Sequence, residues 1–62
     1  MDGKTVIKIL QSHGFKCIRT KGSHSIMSNG KTVPFPVPVH GKHDLRIGTL
    51  KNIEKLSGVK LK

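Results

Sequence analysis

The stretch Lys31-Thr32-Val33-Pro34-Phe35-Pro36-Val37-Pro38-Val39 decides how this chain folds. Three prolines in alternate positions each lack a backbone donor, which at first sight argues against a strand. In an extended chain, however, alternate residues direct their N–H groups to the same edge. Pro34, Pro36 and Pro38 therefore blank one edge only, while Val33, Phe35, Val37 and Val39 stay free to pair across the other. The stretch reads as an edge strand over roughly residues 31–39, with those four apolar residues on one face and a blunted edge that discourages aggregation. A polyproline II recognition segment is the alternative reading of the same residues.

Working outward, Asn29-Gly30 is a hairpin signal because both residues tolerate positive φ, and it joins the edge strand to a second strand over His24 to Ser28. A Gly22-Ser23 turn leads back to a first strand, Phe15 to Thr20. Regular alternation there puts Phe15 and Cys17 on one face and Lys16 and Ile18 on the other. Cys17 reads as filler in a small core, where apolar neighbours keep a thiol inert. The same parity puts His24 on the Ile26 face, toward the helices or at the sheet's rim.

Two helices flank these strands. From Asp2 to Ser12, Val6, Ile9 and Leu10 fall at helical spacing, with Asp2 as the cap and Gly14 as the left-handed residue after the end. His13, in the last turn, reads as structural. From about Arg46 to Ser57, Ile47, Leu50, Ile53 and Leu56 recur every third residue, and Gly58 ends that helix. Gly48 marks a close contact or a bent first turn. Val59 to Lys62 is too short to assign. The result is an α+β fold in the order helix-strand-strand-strand-helix, a three-stranded antiparallel sheet with two helices on one face. With no repeat and no linker, residues 1–62 read as one domain.

Sixty-two residues make only a thin core, because a chain this short buries about 60% of the surface it exposes when unfolded. Twelve Lys and Arg stand against three acids, a net charge of +9 spread along the whole chain. That excess favours an anionic partner, with nucleic acid first and a membrane surface a distant third after simple solubility. One cysteine gives no internal disulfide, and a reduced cytoplasm is its natural setting. No run of residues is apolar and long enough for a signal peptide or a membrane span.

The chemistry concentrates at Lys21-Gly22-Ser23-His24. Glycine lets the backbone turn and approach a ligand, serine offers a hydroxyl, lysine suits a phosphate, and His24 can exchange a proton near neutrality. Arg19, Lys21, Lys42 and Arg46 are candidate phosphate contacts, joined by Gly22, Ser23 and His40 as substrate-binding positions. His40-Gly41-Lys42-His43-Asp44 has two histidines three apart. With one adjacent carboxylate and no other His or Cys cluster, it reads as a solvated or phosphate-contacting loop rather than a metal site, and no cofactor is expected.

Gly14-Phe15, Lys21-Gly22-Ser23-His24, Pro38-Val39-His40-Gly41, Asp44-Leu45, Gly48-Thr49-Leu50, Ile53 and Gly58 together resemble a HicA-type toxin, in order and spacing over nearly the whole chain. The resemblance implies a double-stranded-RNA-binding-domain-like fold, an mRNA endonuclease (mRNA interferase) activity that needs no metal, and neutralisation by a HicB-type antitoxin. The family's catalytic histidine lies in the Gly-Ser-His motif, here His24. Departures are His13 where a small residue is usual, His43 in place of a lysine or polar residue, and the richness in proline. The implied chemistry is economical, since RNA carries its own nucleophile in the 2′-hydroxyl; His24 is the expected base, and His40, Lys21 and solvent are candidates for the acid. The alternative function is an RNA-binding module of the same fold that does not cut.

Overall fold

The computed structural model describes residues 1–41 and 43–61. Its elements run α1 (Gly3–Ser12), β1 (Lys16–Lys21), β2 (His24–Ser28), β3 (Phe35–Pro38) and α2 (Ile47–Ser57). The strands form one antiparallel sheet in the order β1-β2-β3, so the proline-rich strand is an edge. Its donors run as the alternation requires, and just past the strand the Val39 N–H still reaches inward to the Ser23 carbonyl at 2.7 Å.

The Asp2 carboxylate caps α1 by accepting the Thr5 N–H at 2.9 Å. The Thr5 side chain, and after it the Thr5 backbone N–H, hold its pKa below the ordinary value of 3.8. The folded form thus favours the ionised carboxylate: the contribution is present above the ordinary value and is lost as pH falls through the lowered one. At the other end the His13 imidazole donates from Nδ1 to the Ile9 carbonyl at 2.9 Å, and Gly14 takes φ +90 to turn the chain into β1.

Register accounts for the largest difference from the sequence reading. A two-residue Asn29-Gly30 hairpin would set Met27 opposite Thr32, and Ile26 and His24 opposite Val33 and Phe35. Instead Met27 faces Phe35 and Ser25 faces Val37, three residues further along. Residues 29–34 form a wider loop, in which the Asn29 side chain accepts the N–H groups of Lys31 and Thr32 at 2.9 and 2.8 Å. An odd shift exchanges the faces of a strand. Phe35 and Val37 thereby join Met27 in the core, Val39 is half-buried, and Val33 lies in the loop with 78% of its surface exposed. Burying Phe35 against Phe15, edge to face with ring centroids 5.7 Å apart, outweighs the local preference for a tight turn.

Val6, Leu10, Phe15, Met27, Phe35, Val37 and Ile53 form the core, with Val59 and Leu61 closing it from beyond α2. The last two stand in the unassigned tail, held there by the Leu61 N–H donating to the Glu54 carboxylate at 2.7 Å. On α2 only Ile53 is buried, while Ile47 and Leu56 are exposed. Positions spaced by three drift about 60° around a helix at each step, so four of them cannot share one face. Both helices pack chiefly on β3, and β1 lies beyond their cover with no buried residue. Cys17 is accordingly exposed rather than core filler, its thiol donating to the Arg19 carbonyl at 3.3 Å.

The glycine that marks a close approach is Gly3, not Gly48. A Cβ at Gly3 would run into the Pro38 carbonyl oxygen and lie 3.1 Å from the Val39 Cα, whereas one at Gly48 would meet nothing within 4 Å. Gly3→Ala is expected to lower stability by about 1–3 kcal/mol through overpacking, against a helix-propensity gain of at most about 1 kcal/mol. Gly48→Ala should instead raise it by about 0.5–1 kcal/mol. Urea unfolding midpoints of the two variants check the opposite signs.

Candidate active site

The β1–β2 turn is a two-residue hairpin closed by the Lys21–His24 pair, with Gly22 at φ +62 and no positive φ at Ser23. Positive φ at the first central position alone is the type II′ pattern, and it matches the twist of the strands on either side. His24 is thus held at the first position of β2, on regular backbone beside the turn.

Residues directly opposite one another in an antiparallel sheet share a face. His24 faces Pro38 and Ile26 faces Pro36, while Met27 and Ser25 face Phe35 and Val37 in the buried layer. His24 therefore stands with Ile26 on the face away from the helices, the reverse of the placement expected from Ile26 as a core residue. The register shift described above is the cause. The imidazole is exposed, flanked by Lys21 on one side and a proline ring on the other.

A second irregularity assembles the charge. The pairing of β1 with β2 slips between Cys17 and Arg19, leaving Ile18 as the extra residue of a β-bulge. Without it, Lys16 would lie on the opposite face from Arg19 and Lys21. With it, Lys16 pairs with Ser28, Arg19 with Ile26 and Lys21 with His24, so three cations line the His24 face along one strand. The sequence reading missed Lys16 and the bulge, and no residue type in Lys16–Lys21 signals either.

His40 lies two residues beyond Pro38, and its ring meets that of His24 at a centroid distance of 6.2 Å and 82° between planes. The Val39–Ser23 hydrogen bond ties this segment to the β1–β2 turn, and Gly41 at φ +62 then carries the chain away. Among the described residues, neither ring is hydrogen-bonded to the protein, in contrast to His13.

Of the positions singled out in the sequence, Arg19, Lys21, Gly22, Ser23, His24 and His40 come together. Arg46 is the exposed N-cap residue of α2, and no hydrogen bond, ion pair or strand pairing among the described residues links it to them. Lys42 lies outside the described residues. Also among the described residues, no three His, Cys, Asp or Glu side chains gather at one point. A cleft of about 290 Å³ opens elsewhere, lined by Glu54, Gly58, Val59 and Lys60 and by none of the candidate residues. No helix among the described residues is long and apolar enough to cross a membrane.

The arrangement is a sheet face turned away from the helices, with two imidazoles that carry no hydrogen bond among the described residues and a row of cations, a surface suited to proton transfer on a phosphate ester. No curated protein and no solved structure matches the chain. A family model described as HicA toxin of bacterial toxin-antitoxin matches residues 3–59, nearly all of the sequence, and on that match the chain belongs to the HicA toxin family.

Proposed function

We propose that the chain is a metal-independent endoribonuclease that cleaves mRNA and so inhibits translation, with His24 as the base. The observation that carries this reading is the position of His24 on the face of the sheet away from the helices, in register with Lys21 and on the same face as Arg19 and Lys16. An RNA strand laid along β1 brings its phosphates against those three cations, which hold the backbone without reading sequence. Gly22 and Ser23 offer backbone and a hydroxyl at the turn. His24 then removes the 2′-hydroxyl proton, the oxygen attacks the adjacent phosphorus, and the cations stabilise the charge of the pentavalent phosphorane. The P–O5′ bond breaks to leave a 2′,3′-cyclic phosphate and a 5′-hydroxyl end. The nucleophile belongs to the substrate, so a protein with no enclosed cavity at the site suffices.

Membership of a toxin-antitoxin family implies an antitoxin partner. A HicB-type protein that covers His24 would compete with RNA for the same positive face, and an acidic or mixed surface suits it. Both act in the cytoplasm, where mRNA is translated. A single-stranded transcript incubated with the isolated chain in excess chelator should be cut, with cyclic-phosphate and 5′-hydroxyl termini. Intact transcript without the antitoxin would leave the alternative, an RNA-binding module that does not cut.

A further inference from the structure

We infer that His40 is the general acid of the same reaction, donating the proton that the departing 5′-oxygen needs. The inference rests on the nuclease reading and assigns the half of the chemistry that His24 does not perform. Two placements carry it. His40 follows Pro38 at even spacing on the segment opposite His24, and the two rings lie 6.2 Å apart on the uncovered face. That spacing lets one imidazole lie within about 3 Å of the attacking oxygen of a phosphodiester while the other lies within the same reach of its leaving oxygen. Neither ring is hydrogen-bonded to the protein among the described residues, so both have nitrogens available for substrate. Backbone hydrogen bonds hold the His40 segment beside the turn, from the Val39 N–H to the Ser23 carbonyl at 2.7 Å and from the His43 N–H to the His40 carbonyl at 3.2 Å.

The step balances without a further reactant. Neutral His24 accepts the 2′-hydroxyl proton as the O2′–P bond forms, and protonated His40 releases its proton to O5′ as the P–O5′ bond breaks. The pair ends with its protonation exchanged, and water restores it. Lysine is the poorer donor here, because an ammonium gives up its proton reluctantly near neutral pH.

A substrate whose leaving oxygen is replaced by sulfur tests this directly, since a thiolate departs without a proton. A short oligonucleotide carries the 5′-bridging sulfur at a site that the wild-type chain cuts. His40→Ala is expected to cut the ordinary oligonucleotide about 10²-fold more slowly than wild type and the sulfur-containing one at nearly the wild-type rate. His24→Ala should be slow on both. His40→Gln, which keeps a polar side chain without acid strength, repeats the measurement, with circular dichroism showing that each variant folds. Three results would overturn the assignment: ordinary RNA cut at the wild-type rate by the His40 variants, equal slowing on both substrates, or sulfur rescue of His24→Ala instead. Wild type that leaves both oligonucleotides whole defeats the nuclease reading itself, a different failure.

Discussion

His24→Ala is expected to slow cleavage of a single-stranded transcript by about 10²- to 10⁴-fold, the usual contribution of a positioned base, while RNA affinity changes little. The two effects separate because different groups produce them. On the proposed reading, affinity comes from phosphate contacts to Lys16, Arg19 and Lys21, which share one face of the sheet and which the substitution leaves in place. The imidazole is exposed and carries no hydrogen bond to the protein among the described residues. Its loss should therefore shift stability by no more than about 0.5 kcal/mol. Product analysis on a denaturing gel, beside filter binding at fixed salt, reads both quantities from one preparation. Equal cleavage by variant and wild type would remove His24 from the chemistry. Binding with no cleavage by either would make the chain a binding module, and a joint loss of both would mean that the ring holds RNA instead of activating it.

How much of this was legible in the sequence follows from which interactions are local. The cap at Asp2, the left-handed Gly14 and Gly58, the Gly22-Ser23 turn and the edge position of the proline strand all depend on residues within a few positions of each other. Each was readable. The face that His24 occupies depends instead on which residue of β3 pairs with Met27, and that was settled by burying Phe35 and Val37 under the helices. The Asn29-Gly30 signal was genuine in part, since Gly30 takes φ +80 and the Asn29 side chain accepts from the loop backbone. It lost to the larger apolar gain of a wider loop.

The alignment of Lys16 with Arg19 and Lys21 was hidden for a similar reason. A β-bulge leaves no mark in the alternation of Lys16–Lys21, where every residue is exposed. The grouping of His24 with His40 was likewise not visible from spacing, because sixteen positions separate them and only the return of β3 along β2 closes the gap. The motif therefore pointed to His24 as the candidate, while the company that residue keeps is a product of tertiary packing.

Phe35→Ala should be the most damaging single truncation, and it tests the register on which the site depends. Phe35 is 2% exposed, opposite Met27 and edge-on to Phe15. Removing such a ring costs about 3–5 kcal/mol. A chain of this length has roughly 3–9 kcal/mol of stability in total, so the variant should be largely unfolded or should melt at least about 10 °C lower. Val33→Ala is the matching control. Simple alternation makes Val33 and Phe35 equivalent, two positions apart in one strand, yet Val33 lies exposed in the loop and its truncation should cost no more than about 0.5 kcal/mol. Thermal and urea unfolding followed by circular dichroism give both values. A penalty at Val33 comparable to that at Phe35 would mean that the tight hairpin forms after all. His24 would then share a face with the buried valines, and the open arrangement of imidazoles and cations would be lost with the register.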